Sequence, residues 1–472
     1  MSPSRSRRRV LRALAASSLF GLAGCATDSS PSDSTANSSP NQPTRTSSGL
    51  DTATPTPKPS IATSPAQSTT SQSNTTTTPD STTSRTSTPE PDTSTYGPTS
   101  GPDERETRTP PGSPSLESRS KWPAFRFDAA NTGYNPDGTG LREAEQYWRL
   151  APTSSASLNA ETLFSVSSGD EDFKSFTRRD PATNDIRSRT QLVQYGVNAP
   201  PTVVGDRVFV TTFVEVFCLA ANRDAVVWRG PEMDGIQAPP AVADGTVYVN
   251  SGGFTSTPPQ LRAFDAATGD EQWRYDTGSR AYTTPAVAND RVFIASNDGL
   301  HAVDAASGER SYLVEDVGRE RATPVVSTDS VYIISRGERT NDQLVTINVA
   351  DGSVRWRESF SDLGRRPPVI ANDLVYVGTE SSVAALDAAT GRKATSIGGS
   401  GSPVARVGEV LYTTGEGTLF ALDVTGGSQL WSHTTEQVRI QDTVGRTIAG
   451  VTPVSGAVYV SARDGFHGFG PV

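Results

Sequence analysis

The chain has 472 residues, 34% of them hydrophobic, and a formal net charge of −10. That length exceeds what one ordinary core fills, so the chain divides into domains or runs as a repeat array. The acidic balance repels phosphate backbones and argues against nucleic acid as a partner, and two cysteines cannot make a disulfide framework.

Residues 1–24 carry Arg5, Arg7, Arg8, Arg9 and Arg12 and no acid, so the remainder stands at −15. Ser6 to Arg12 reads SRRRVLR, which resembles a twin-arginine export motif with Val10 and Arg12 where Phe and Lys are usual. The apolar run from Leu11 to Ala23 is too short to span a bilayer and fits the hydrophobic part of a signal peptide. It ends in Leu22-Ala23-Gly24-Cys25, which resembles a lipoprotein box. A thiol just after small residues is open to alkylation by a diacylglycerol group, and cleavage then leaves Cys25 as a lipidated N-terminus. The expectation is a signal over 1–24, lipid on Cys25 and an outward-facing place on the cell membrane.

Residues 25–120 are Thr, Ser and Pro with almost no large apolar side chains. Such a stretch cannot bury enough surface to offset the entropy of ordering and is expected to be a disordered tether. A flexible chain of that length spans roughly 50–60 Å between its ends. Asn37-Ser38-Ser39 and Asn74-Thr75-Thr76 match glycosylation acceptors, a pattern that chance also produces in such sequence. Lysine is confined to Lys58, Lys121, Lys174 and Lys393; this scarcity, with the acidic balance and abundant Thr, resembles proteins of salt-loving archaea.

From 121 to 472 the composition changes and a unit recurs at roughly forty-residue spacing. Its clearest copy is Ala238 to Tyr275: a short strand opening at APPAVA, a strand TVYVNS, a strand LRAFD and a strand EQWRY, with Gly269 in the last turn. The alternation in VYV and LRAFD is the period of half-buried strands, and Asp-x-x-x-Gly suits a hairpin turn that needs a positive φ. Opening strands recur near Pro200, Pro239, Pro285, Pro324, Pro367, Pro403 and Pro453. A second ruler agrees: Trp228, Trp273, Trp356 and Trp431 each stand eight residues after the end of a third strand, and Tyr312 and Thr395 hold the same slot.

Four strands per unit in series predict an all-β propeller. The last unit, Thr452 to Phe469, lacks a fourth strand, and an orphan fourth strand, EQYWRL with Trp148, precedes the first. The N-terminal strand is therefore expected to complete the last blade and close the ring, leaving no exposed sheet edge. Ala151 to Asn198 reads as a worn blade, with a DPATND turn and Ser188 in the Trp slot. Eight blades follow; seven with an irregular insertion is the alternative. Trp148, Trp228, Trp273, Trp356 and Trp431 are expected to dock one blade on the next, as scaffold and not as a cofactor box. Cys218, inside VFCLA, is expected to be a small buried hydrophobe.

The repeats AFDAATGDEQW, AVDAASGERSY, TINVADGSVRW, ALDAATGRKAT and ALDVTGGSQLW resemble the pyrroloquinoline-quinone-like propeller repeat, and WPAFRFDAANTGYNPDG (Trp122 to Gly138) resembles the lead-in to the first blade of such proteins. The resemblance covers Trp122 to Val472. It implies a β-propeller and either of two activities, since the family holds quinone-dependent alcohol and sugar dehydrogenases and non-enzymatic scaffolds of outer-membrane assembly. The dehydrogenases carry adjacent cysteines beside the quinone, and this chain has none. Histidine is limited to His301, His433 and His467, with no H-x-H, HExxH, C-x-x-C or G-x-S-x-G, and the Asp-rich turns lack calcium-loop spacing. His301 and His467 hold matching third-strand positions, as a repeat echo or as a pair. No catalytic, cofactor or metal residue is assigned. The expected function is a binding or assembly scaffold for protein or glycan partners; the alternative is an extracellular quinone- or metal-dependent dehydrogenase.

Overall fold

The computed structural model describes residues 121–472, except 152, 154–155, 169–173, 193–198, 254–256, 319–321, 336–341, 365, 380–381, 399–400 and 441–442. Every regular element among them is a strand; apart from Tyr134–Asn135 and the two-stranded pair Val438–Ile440 and Thr443–Gly445, the strands form eight four-stranded blades in a ring. Blade 1 is Ser157–Leu158, Leu163–Ser168, Lys174–Arg179 and Ile186–Gln191. Blades 2 to 7 begin at Thr202, Ala241, Ala286, Val325, Val369 and Ser402. Each is an antiparallel meander in chain order.

Blade 8 closes the ring. Its own strands are Ile448–Val454, Ala457–Ala462 and Gly465–Gly470, and Glu145–Leu150 pairs antiparallel to the last as its outer strand, with Trp148 opposite Gly468. The reading of eight blades sealed by the N-terminal strand is what the structure shows. The worn blade has one strand more than was legible: its opening strand, Ser157–Leu158, is two residues long.

The apolar core lies between blades. One buried cluster joins Phe164, Phe176, Val208 and Phe217 of blades 1 and 2; another joins Phe293, Leu300, Val331 and Val345 of blades 4 and 5. A larger one unites blades 7, 8 and 1 through Tyr412, Val458 and Leu163. Second-strand tyrosines reach the following blade: Tyr248 donates to Ala305 O at 3.3 Å, Tyr332 to Ala388 O at 3.2 Å and Tyr459 to Pro181 O at 2.7 Å. The last of these ties blade 8 to blade 1.

The same register recurs in every outer hairpin. The slot residue sits opposite a third-strand residue two positions before that strand's end, and a bulge follows: Trp228 faces Cys218, Trp273 Ala263, Tyr312 Ala302, Trp356 Thr346, Thr395 Ala385 and Trp431 Ala421. A large ring thus lies over a small neighbour. In blade 1 the sizes are exchanged, because Ser188 faces Arg178.

Candidate functional site

The inner strands surround a segment of the chain's own making. From Trp122 onward the backbone bonds to one blade after another: Trp122 and Leu158 exchange bonds of 3.0 and 2.9 Å in blade 1, and Val203 N donates to Pro123 O at 2.7 Å in blade 2. Val287 N then meets Ala129 O at 2.7 Å, Val326 N meets Ala130 O at 2.9 Å and Ile370 N meets Thr132 O at 3.0 Å, in blades 4, 5 and 6. Tyr134–Asn135 finally runs parallel to the inner strand of blade 7, and Gly456 N of blade 8 donates to Thr139 O at 3.3 Å. Inner strands are sheet edges with unspent N–H groups; the segment spends them.

Turning this tightly requires left-handed backbone. Arg126 has φ 54°, Phe127 78° and Asn131 60°. Asn tolerates that region; for Arg and Phe it is strained and persists only where the surroundings hold it. The holding groups are visible. Asp128 accepts from the Thr132 amide at 2.9 Å and from its hydroxyl at 2.5 Å. Asn131 Nδ2 donates to Pro285 O and Pro324 O, both at 3.2 Å. Arg126 Nε donates to Asn131 O at 2.9 Å and its Nη2 to Pro368 O. Burial pushes the Asp128 carboxyl above its ordinary range, with the Thr132 bonds and Arg126 pulling back.

A cavity of about 70 Å³ opens beside this segment, lined by Phe125, Arg126, Arg366, Pro367, Val404 and Val451 among others. Arg366 Nη2 donates to Ile448 O at 2.8 Å. Burial pulls both guanidiniums down, Arg126 to about 9, where Asp128 pushes up and Arg366 adds to the fall. Pockets for organic cofactors run to about 300–1,000 Å³, so the axial cavity does not fit a tricyclic quinone. Among the described residues no group of three or more His, Cys, Asp or Glu is placed to hold a metal ion.

The other residues singled out by sequence lie away from the axis. Trp228, Trp273 and Trp356 donate from Nε1 to Ala266 O, Ala305 O and Ala388 O of the following blade at 3.0, 3.0 and 3.1 Å, and Trp431 donates to Leu141 O at 2.8 Å. Each of the first three rings lies over the turn glycine of the next blade; a Cβ at Gly308 would stand 2.7 Å from Trp273. That glycine therefore serves twice, for its φ of 75° and for the ring's approach. Trp148 stacks 5.9 Å from Tyr459 and lies tilted 5.4 Å from Phe466.

In blade 1 the guanidinium of Arg178 reaches the same turn of the next blade one residue earlier, donating to Ala220 O at 2.6 Å and pairing with Asp224 at 2.5 Å. His301 lies in blade 4 between Tyr275 Oη (2.9 Å) and Ser296 Oγ (2.7 Å), and burial lowers it to about 4. His467 lies in blade 8 against Asp464 (3.1 Å) and His433 (ring centroids 5.3 Å). The two matching histidines are thus repeat echoes with separate partners. Cys218 is buried, which pushes its thiol up to about 11. Cys25, Asn37 and Asn74 lie outside the described residues.

Eight sheets of four strands around a laced axis define an eight-bladed β-propeller of the PQQ-repeat type. The sequence matches the profile of the outer membrane protein assembly factor BamB over residues 142–394 and 316–467, more than half of the chain, and the chain belongs to that family. Searching curated proteins returned no match. Among solved structures, BamB from Moraxella catarrhalis is similar at TM-score 0.51 and 16% identity, over 70% of this chain and 98% of that one. A europium-containing methanol dehydrogenase aligns at TM-score 0.55 and 12% identity, over 72% and 89%. The quinohemoprotein alcohol dehydrogenase from Comamonas testosteroni aligns at 0.53 and 12%, over 74% and 80%. At these identities the structural likeness speaks for the fold alone.

Proposed function

We propose that this chain is a binding scaffold for protein partners, carried outward from a membrane on a lipid at Cys25 and the tether of residues 25–120. The observation that carries the reading is a ring sealed twice over, at its circumference by the strand of Trp148 and at its axis by Trp122 to Asn135. Such a disc is rigid and offers loops on two faces. Membership in the family of an outer membrane protein assembly factor supports protein partners over glycans. Twin-arginine export fits a domain that is folded before it crosses a membrane.

Two experiments divide this reading from its rival. Proximity labelling from the anchored chain, compared with the tether alone, is expected to return a reproducible set of proteins that depends on the propeller. A set no different from the tether's overturns the scaffold. Titration of the purified chain with pyrroloquinoline quinone and calcium, with dye reduction followed on alcohols and sugars, is expected to show no turnover. Stoichiometric quinone binding with turnover would establish the dehydrogenase instead. Cys25→Ser is expected to abolish incorporation of labelled lipid and release the chain from membranes; retention on membranes would refute the anchor.

A further inference from the structure

The axial cavity brings together two guanidiniums that, among the described residues, have no carboxylate at ion-pair distance, although the charge of Asp128 acts on Arg126. Arg178, Arg406 and Arg262 each meet a carboxylate, Asp224 at 2.5 Å, Glu409 at 3.3 Å and Glu271 at 3.6 Å, whereas the buried Arg179 bonds to Asn184 O at 3.3 Å. Arg126 and Arg366 bond to carbonyl oxygens of Asn131, Pro368 and Ile448, which satisfy donors without cancelling charge. Asp128 is the acid nearest in sequence, and its carboxylate is turned onto Thr132. The remaining walls include Phe125, Pro367, Val404 and Val451. A cation among such walls keeps more of its field than in water, and an unpaired one is costly to bury.

We propose that this cavity is an anion site in which Arg126 and Arg366 together hold one oxyanion group, a carboxylate or a phosphate. The size sets the class. About 70 Å³ is far below the ~300–1,000 Å³ of pockets that hold drug-sized ligands, hence room for one such group and not for a ring system. The bearer of the group lies outside the cavity. Two guanidiniums provide forked donors matched to an oxyanion, and both are already positioned: one by the laced segment, the other by the edge of blade 8. The strained backbone at Arg126 and Phe127 is then the cost of aiming the first of them. Nothing in this assignment depends on the scaffold reading.

The test uses the full chain and two probes, sodium acetate and inorganic phosphate, titrated calorimetrically at fixed ionic strength with chloride as background. A saturable isotherm near one-to-one is expected for at least one of them. Arg366→Gln is expected to weaken it at least tenfold, and Arg366→Lys to restore part of the loss. Trp122 lines the same cavity, so ligand-induced change in tryptophan fluorescence is expected in the wild type and lost in Trp122→Phe, while calorimetric binding persists. This second readout keeps the site testable should Arg366→Gln fail to fold. A glutamate-bearing peptide that binds more tightly than acetate would place the anion on a protein; no gain over acetate or phosphate would make it a free small ion. Equal isotherms for wild type and a folded Arg366→Gln, no saturable binding of either probe, or a fluorescence response that survives Trp122→Phe overturns the assignment.

Discussion

Replacing Trp273 by Ala tests where the ring's stability resides. The indole is 9% exposed, lies over Gly308 of the next blade, stands 5.8 Å from Tyr248 and donates to Ala305 O at 3.0 Å. Truncating a buried Trp costs about 3–5 kcal/mol, of which a neutral hydrogen bond accounts for about 0.5–1.5 kcal/mol. Packing therefore outweighs the bond. Trp273→Phe, which keeps most of the packing and loses the donor, is expected to cost about 1–2 kcal/mol. The protein carries its own control: Thr395 holds the same slot in blade 6, is exposed, and its hydroxyl reaches only Ser396 O at 3.5 Å. Thr395→Ala is expected to fall within about 0.5 kcal/mol of wild type. Urea unfolding followed by far-UV CD, with m compared across variants, reads all three. If Trp273→Ala costs no more than Thr395→Ala, or Trp273→Phe costs as much as Trp273→Ala, the docking argument fails.

Gly308→Ala is expected to cost at least ~1–2 kcal/mol from its φ of 75° alone, and more because the Trp273 ring must move; a neutral result in the same melts would show the turn to be soft. Asn131→Ala removes a donor shared by Pro285 O and Pro324 O and is expected to cost about 1–3 kcal/mol. Stability is expected to fall in acid through His301, held near 4 against an ordinary 6.5. The folded state binds that proton less readily than the unfolded one, so the contribution is whole above pH 6.5 and is lost as pH falls to 4. Roughly 2.5 units at ~1.36 kcal/mol each make about 3 kcal/mol. His301→Gln is expected to flatten that part of the curve between melts at pH 7.5 and 4; an unchanged acid slope would refute it.

The blades were legible because hairpin spacing does not depend on which residue fills a slot. Ser188 and Trp148 could be placed by counting, although one is not aromatic and the other precedes its blade by three hundred residues of chain. What side chains do across a register is harder to read. Arg178 sits where the other blades have Ala, Cys, Thr or Gly, and only the pairing shows that its guanidinium replaces a missing indole. Ser157–Leu158 is too short to carry a period. The lead-in over Trp122 to Gly138 was recognisable as a lead-in, but its work is done by backbone carbonyls, which leave no mark on sequence. A dense run of turn formers, Asp128, Asn131, Thr132 and Gly133, was the available signal. Arg126 and Arg366 are 240 residues apart, and nothing local joins them.

Removal of N-terminal segments separates residues 1–120 from the segment that laces the axis. A chain beginning at Lys121 keeps every residue that the structure describes, and it is expected to melt with the full protein. A chain beginning at Pro136 keeps Trp148 and all eight blades but loses Trp122, whose burial is worth about 3–5 kcal/mol. It also loses the acceptors of Val203, Val287, Val326, Ile370 and Arg406, at about 0.5–1.5 kcal/mol each. Together these approach the whole stability of a typical domain, about 5–15 kcal/mol, so the shorter chain is expected to have no cooperative melt. Water entering the emptied axis could satisfy the freed N–H groups, which would leave the Trp122 loss alone and a weakened but folded ring. Intact melting of the chain from Pro136 would show instead that the blades hold without their lacing, and Arg126 would then be placed by nothing the fold requires.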